Sequence, residues 1–374
     1  MCRRPHSVSQ GRADLAVGAA KLQYRRERLR VLFGPLNLSG AAFGWSRAIN
    51  HFAGDQFSSL TFEALLRGQK HFYFPVDISL SEDAALVNSD LWADTVLGRI
   101  NVAISESAKP LLRNFATAHF ARELPQLTAA GIHCGVLFHG SDIRHPDRHR
   151  DMFEHSLFGE HSGLKWSLLK FHVERNLKFV ADSGVPVFVS TPDLIPLVPG
   201  AKWLPHVIDG SAFAGPRKTL GEGKLRVLHL PSNPLMKGTA LIDPALQKLS
   251  AGGVIEYIHP NFVSRTEIGP LLRSVDVVVD QISLGGPGVL LAEALAAGCL
   301  VVSYLPDFVR EQMPSPCPAI SADPTNLGAI IADIAHHPDN YEDVQAGGPA
   351  WVRTTHDGSL AAQTFAQVFG VKGN

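Results

Sequence analysis

The chain has 374 residues, of which 45% are hydrophobic and 18% are charged, and its formal net charge is −1. This length allows two domains of ordinary size with ample core. The near-neutral charge argues against a nucleic-acid partner, which usually requires a strong basic balance. The four cysteines form no CxxC motif, which argues against a thiolate metal site and fits a reducing, cytoplasmic location.

The N-terminal segment, residues 1–28, is predicted to be a disordered basic tail. Residues 1–30 contain eight Lys or Arg and two acids, without the apolar core of a signal peptide. The alternative interpretation is a basic arm that contacts anionic lipid at the inner face of the membrane. The apolar residues 288–305 include Glu293 and Gly298, which favours a helix, a turn and a buried strand over a membrane span.

Short apolar runs alternate with longer amphipathic segments on both sides of a predicted linker, residues 211–223, which is rich in Gly, Pro and Lys. In the first domain, residues 29–210, three buried strands are predicted over residues 29–35, 131–140 and 185–190. In the second domain, residues 224–345, the strands "LRVLHLP", "VIEYIHP", "DVVVDQ" and "CLVVSYLP" are separated by helical segments. Residues 346–374 are predicted to form a C-terminal helix that packs back on the first domain.

Steady alternation of strand and helix predicts an α/β fold of two doubly wound, Rossmann-like domains that face each other across a cleft. Ligands in such sheets bind beyond the carboxyl ends of the strands. Local signals refine the helices: Ser264 and Glu267 form a capping-box pattern, and Asp323 precedes Pro324 like an N-cap before the first helical residue.

Two loops of the second domain suit a phosphorylated ligand. The segment "PSNPLMKGT" follows a strand and offers Ser232, Asn233 and Lys237 to a phosphate or diphosphate. It lacks the order of a Walker loop, and a solvated Lys in an ordinary loop is an equal alternative.

The second of these loops opens the segment "GGPGVLLAEALAAG", residues 285–298. Gly286 and Gly288 leave backbone N–H groups uncovered at a helix predicted to start near Pro287. Glu293 lies one to two turns inside, within reach of a ribose. A solvent-facing Glu is the alternative, but its neighbours are nearly all apolar.

These loops resemble the donor-binding half of retaining glycosyltransferases of the B-type, two-Rossmann fold, over most of residues 224–360. The resemblance implies that Lys237 contacts the donor diphosphate and that Glu293 binds the nucleotide ribose. It also implies that the configuration of the sugar is retained and that neither a metal nor a cofactor is needed besides the nucleotide-sugar substrate. Ser232 stands where the family usually has Arg, and Gly285 where it often has a second Glu.

In the first domain, "GPLNLSGAAFG" and "LFHGSDIRHP" follow predicted strands and resemble acceptor-facing loops of the same family. The resemblance implies a catalytic His139 and the acceptor-binding residues Asn37, Ser39, Gly40, Asp142 and Arg144. An ordinary N-capped turn and a packed histidine are the alternatives. His145 and His149 are four residues apart, but Pro146 and the neighbouring arginines favour a surface loop over a metal site.

The sequence therefore predicts a glycosyltransferase that moves a sugar from a nucleotide donor to a hydroxyl of a carbohydrate, lipid-linked or small-molecule acceptor. Lys237 would neutralise the departing diphosphate. One alternative is a catalytically weakened relative that binds a sugar nucleotide or a partner, and a second is a sugar-nucleotide epimerase of the same fold. A nicotinamide oxidoreductase is disfavoured because no GxGxxG follows the first strand of either domain.

Overall fold

The computed structural model describes residues 28–65, 74–81, 89–115, 118–159, 164–216 and 220–370. The predicted tail lies outside these residues except for Arg28, as do residues 217–219 of the predicted linker and residues 371–374. In the described residues, the first sheet has seven parallel strands in the order β3-β2-β1-β4-β5-β6-β7. These strands are β1 (Leu29–Gly34), β2 (Phe57–Leu65), β3 (Ile78–Ser81), β4 (Val102–Glu106), β5 (His133–Phe138), β6 (Val187–Val189) and β7 (Lys202–Trp203).

The second sheet has five parallel strands in the order β12-β11-β10-β8-β9 within the described part of the chain. They are β8 (Leu225–Leu228), β9 (Ile255–Ile258), β10 (Val277–Val279), β11 (Leu300–Ser303) and β12 (Ile320–Ser321). The strand order reverses between β1 and β4 in the first sheet and between β8 and β10 in the second. Loops diverge at such switch points and leave a crevice for a ligand.

Helices cover both faces of each sheet, which explains why the central strands are continuous apolar runs. The helices of the first half are α1 (Ala41–Phe52), α2 (Ser89–Arg99), α3 (Leu124–Ala129), α4 (Pro146–Met152) and α5 (Leu164–Ser183). Those of the second half are α6 (Pro234–Lys237), α7 (Thr239–Ala251), α8 (Arg265–Arg273), α9 (Val289–Ala296), α10 (Asp307–Arg310), α11 (Leu327–His336), α12 (Glu342–Thr355) and α13 (Ser359–Phe369). The prediction of two doubly wound α/β domains is confirmed.

Several predicted boundaries need correction. The predicted C-terminal helix is two helices, and the boundary set at residue 346 falls inside α12. The two helices are separated at Gly358, whose φ is 97°. Asp323 does not cap α11 directly, since the helix begins three residues after Pro324. The capping box of Ser264 and Glu267 at α8 is present as predicted.

The two halves contact each other closely along one side. Phe365 of α13 packs on Phe33, with ring centroids 5.6 Å apart, so the end of the chain returns to the first sheet. In the other direction, the N–H of Leu157 donates to the carbonyl of Ser283 at 3.1 Å. Phe153 packs against Phe308 with the rings tilted and their centroids 5.2 Å apart. Residues 149–157 of the first half therefore lie against the second.

Candidate functional site

The candidate site lies where the switch points of the two sheets come together. The loops after β1, β4 and β5 supply groups from the first sheet, and the loops after β8 and β10 supply groups from the second. A series of contacts joins the two sets. A Cβ at Gly140 would lie 2.9 Å from Arg144, Arg144 bonds to Asp193, and a Cβ at Gly286 would lie 2.0 Å from Asp193. Loops at the carboxyl ends of both sheets are thus in contact.

His139 follows β5 and is held by acidic groups on two sides. Its Nε2 lies 3.0 Å from Oε1 of Glu106, at the end of β4. Asp142 accepts hydrogen bonds from the backbone N–H groups of His139 and Gly140, at 3.0 and 2.7 Å. Burial lowers the pKa of His139, but the hydrogen bond and charge of Glu106, with the charge of Asp142, outweigh it and raise the pKa above its usual value. The sequence predicts that His139 and Asp142 point into the cleft, and this stays a prediction; it does not identify Glu106 as the partner of His139.

The loop after β1 turns sharply before α1. Asn37, Ser39 and Gly40 have φ values of 48°, 54° and 72°. The side chain of Asn37 is 3% exposed, accepts from the N–H of Phe43 at 3.1 Å and donates to the carbonyl of Pro75 at 2.9 Å. Asn37 thus shapes the loop from inside, whereas Leu38 and Ser39 are exposed.

Lys237 is the last residue of the short helix α6. Asn233 is the N-cap of this helix, and its side chain accepts a hydrogen bond from the N–H of Met236. The Lys237 ammonium lies 2.5 Å from Oδ1 of Asp280, at the end of β10. The Asp280 side chain is fully buried, whereas that of Lys237 keeps 12% of its surface exposed. Ser232 and Asn233 are exposed beside this ion pair. Lys237, the predicted diphosphate ligand, thus lies at the carboxyl end of β10 and is paired with an acid that the sequence did not indicate.

The glycine-rich loop after β10 is organised by Gln281, whose side chain is fully buried. Its Oε1 accepts from the N–H groups of Ser283, Leu284 and Gly285, and its Nε2 donates to the carbonyl of Gly286 at 3.0 Å. These bonds hold the loop against the crevice wall.

The helix after this loop starts later than predicted. Gly288 is its N-cap and Val289 its first residue, so Pro287 precedes the helix and does not open its first turn. The backbone at Gly288 faces the ion pair, since a Cβ there would lie 2.7 Å from Nζ of Lys237 and 3.0 Å from Oδ2 of Asp280. The N-terminus of α9 and Lys237 together form a concentration of positive potential. The carboxylate of Asp280 already lies within it.

Glu293 lies in the second turn of α9 and is 2% exposed. It forms an ion pair with Arg265, the first residue of α8, whose side chain is 56% exposed. Burial raises the pKa of Glu293, and the charge of Asp280 adds to this effect, whereas Arg265 opposes it. Glu293 thus lies buried inside α9 and is covered by Arg265, a partner that the sequence did not indicate.

Arg144 is less accessible than an acceptor-binding role suggests. It is 4% exposed and donates to Oδ2 of Asp193 at 2.5 Å, while Asp193 is fully buried. Oδ1 of Asp193 has no hydrogen-bond partner among the described residues. The pair lies against Gly286, where a side chain would collide with it. Arg144 therefore contributes to the contact between the two halves.

Other possible sites lie away from this crevice. A cavity of about 710 Å³ lies between the end of α1 and helices α12 and α13, and one of about 490 Å³ lies beside α5. No cluster of three or more metal-binding side chains occurs in the described residues. Within the same residues, no helix is long and apolar enough to cross a bilayer.

Comparison with known proteins identifies the architecture. No family model and no curated protein sequence matches the chain. Solved glycosyltransferases match it in structure. HepE of Anabaena, solved with UDP and glucose, aligns with a TM-score of 0.57 and 11% identity over 91% of this chain and 99% of its own. Sucrose-phosphate synthase of Thermosynechococcus elongatus aligns with a TM-score of 0.58 and 9% identity over 91% and 98% of the two chains.

A third similar structure is an alpha-glucosyltransferase solved with UDP-glucose and DNA. It aligns with a TM-score of 0.52 and 10% identity over 91% of this chain and 98% of its own. The expectation that this chain binds no nucleic acid stays a prediction. Identities this low define the fold alone, and that fold agrees with the two parallel sheets of this chain. The chain has the two-Rossmann, B-type glycosyltransferase fold.

Proposed function

We propose that the protein transfers a sugar from a nucleotide-sugar donor to an acceptor hydroxyl, with retention of configuration. The observation that carries this proposal is that loops at the carboxyl ends of the two sheets are in contact and that each side carries groups suited to the reaction. Lys237 and the N-terminus of α9 lie on the second-sheet side, and His139 with Glu106 lies on the first. The UDP and UDP-glucose present in similar structures support a nucleotide-sugar donor.

In this proposal the main chemical task is to stabilise a departing diphosphate. The Lys237 ammonium and the N–H groups at the start of α9 supply positive charge where negative charge develops. Glu293 accepts hydrogen bonds from the ribose hydroxyls. His139 and the exposed Ser39, which belong to the first half, would face the sugar or acceptor hydroxyl. Asp142 holds the backbone of the His139 loop.

A second candidate function is sugar-nucleotide binding with weak turnover. It is favoured by one observation: the two charged residues predicted to bind the donor are already paired, Lys237 with Asp280 and Glu293 with Arg265. A donor that binds to Lys237 and Glu293 must replace these ion pairs with its own contacts. The arginine that the resembled family supplies at the place of Ser232 is also absent.

The test is a titration of sugar nucleotides and NAD(H), with the melting temperature and sugar transfer as readouts. We expect donor-dependent stabilisation that is lost in Lys237→Ala and in Glu293→Ala. Lys248→Ala is the matched control, because Lys248 is an exposed lysine of α7 in the same half. A shift with NAD(H) alone, or with no nucleotide, would refute the proposal. Binding without transfer to carbohydrate, lipid-linked or small-molecule acceptors would favour the second candidate.

A further inference from the structure

Glu106 is a fully buried acid at the end of β4, on the switch point of the first sheet. Its Oε2 accepts hydrogen bonds from the backbone N–H groups of Leu36 and Asn37, at 3.0 and 2.8 Å. Its Oε1 lies 3.0 Å from Nε2 of His139. One carboxylate therefore joins the left-handed loop after β1 to the histidine after β5, and these segments are far apart in sequence.

The bonding of Glu106 determines which nitrogen of His139 remains for a ligand. A carboxylate has only acceptors, so the Nε2 of His139 must donate to it. In the neutral ring, Nδ1 then carries a lone pair. Nδ1 has no hydrogen-bond partner among the described residues, and the side chain keeps 12% of its surface exposed. The same logic applies where a buried acid orients a catalytic histidine through one ring nitrogen and leaves the other for substrate.

The groups around His139 reinforce this arrangement. Trp45 of α1 stacks on the imidazole of His139 with ring centroids 5.9 Å apart. It also stacks on His206, with centroids 5.6 Å apart. The titratable groups that face His139 are Glu106, Asp142 and His206. Burial, together with the nearby His139, lowers the pKa of His206 to about 3, so His206 stays neutral. The acids thus dominate the electrostatic environment of His139.

We propose that Glu106 is a positioning residue, which fixes His139 with its Nε2–H on the carboxylate and presents Nδ1 to a substrate hydroxyl in the crevice. The same carboxylate holds the loop of residues 36–40, so the histidine and the acceptor-side loop are set by one group. The identity of the hydroxyl as a sugar or acceptor group rests on the proposed function. The orientation and protonation of His139 do not.

The test is NMR of the full-length protein with ¹⁵N- and ¹³C-labelled histidine, with the His139 signal assigned by its loss in His139→Gln. In the native protein we expect the neutral ring to carry its proton on Nε2, and the pKa to exceed 6.5. In Glu106→Gln the negative charge is lost, and we expect the pKa of His139 to fall by about 1 to 3 pH units.

Glu123→Gln is the matched control. Glu123 is also a buried acid of the first half that accepts backbone N–H bonds, from Leu111, Leu112 and Arg113, and it does not contact His139. We expect no change in the pKa of His139 in this variant. A proton on Nδ1 in the neutral native ring, an unchanged pKa in Glu106→Gln, or an equal shift in both variants would overturn the proposal.

The native tautomer needs no variant, so the proposal stays testable if Glu106→Gln does not fold. Failure of sugar transfer bears on the proposed function and leaves these NMR results intact.

Discussion

Removing the charge of Asp280 is expected to strengthen the binding of a nucleoside diphosphate. Asp280 holds the Lys237 ammonium at 2.5 Å and lies against the backbone at the start of α9. Its Oδ2 has no hydrogen-bond partner among the described residues. An anion that binds to Lys237 and to the helix N-terminus must therefore approach a buried like charge. Asp280→Asn keeps the shape of the side chain and removes that charge.

The size of the effect follows from the geometry. A phosphate oxygen bound to the Lys237 ammonium would lie about 5 Å from the carboxylate, where two unit charges repel by about 3 kcal/mol at an effective dielectric of about 20. The Lys237 side chain is 12% exposed, and its movement offsets part of this repulsion. We expect a gain of about 1.4 to 3 kcal/mol, which lowers Kd roughly tenfold to hundredfold.

Calorimetric titration of UDP into the native protein and Asp280→Asn measures this gain. Asp276→Asn is the matched control, because Asp276 is buried at the opposite end of β10 and accepts from the N–H of Arg226 at 2.7 Å. Its Kd should equal that of the native protein. Adding Lys237→Ala to Asp280→Asn should abolish the gain. An equal or weaker affinity in Asp280→Asn would refute the reasoning.

Three further outcomes are expected. Arg265→Ala removes the charge that opposes the raised pKa of Glu293. As pH rises above 4.5, the free energy of unfolding should therefore fall more steeply in this variant than in the native protein. The same pH dependence of stability in both proteins, measured by urea denaturation, would contradict this. Burial, with the charge of the nearby Arg144, lowers the pKa of His149 to about 4. Because this histidine binds a proton more readily in the unfolded chain, the free energy of unfolding should fall by about 3 kcal/mol as pH falls from 6.5 to 4. His149→Gln should reduce this loss. Gly285→Glu should destabilise the fold by about 2 kcal/mol or more and should not increase sugar transfer. The φ of Gly285 is 74°, and a Cβ there would lie 2.0 Å from the Phe153 ring. A melting temperature equal to that of the native protein would contradict this.

The strands that carry the donor-side motifs could be predicted because they are continuous apolar runs. Strand β4, "VAISE", could not be predicted in this way, since it ends in Ser105 and Glu106, which are both fully buried. Burial of such residues depends on neighbouring strands and on partners elsewhere in the chain. Glu106 bonds to Asn37, 69 residues earlier, and to His139, 33 residues later. No local period encodes these contacts.

The donor side shows the same limit. Loop chemistry and the resemblance predict Lys237 and Glu293 as donor ligands, but they do not predict the partners of these residues. Asp280 is 43 residues from Lys237, and Arg265 is 28 residues from Glu293. The carboxyl end of β10 was a marked position in the sequence, so an acid there was a usable signal. Arg265 gave no such signal, because an exposed arginine after a capping serine is common on helices.

The departure at Gly285 has a physical counterpart in the first half of the chain. The ring of Phe153 fills the space where a side chain at Gly285 would lie, and the pair of Arg144 and Asp193 does the same beside Gly286. An apolar contact and a buried ion pair between the halves thus occupy the place of the carboxylate that the resembled family often has. A side chain at either glycine would collide with a group from the other half. The absence of that carboxylate is therefore linked to the close contact between the two halves at this loop.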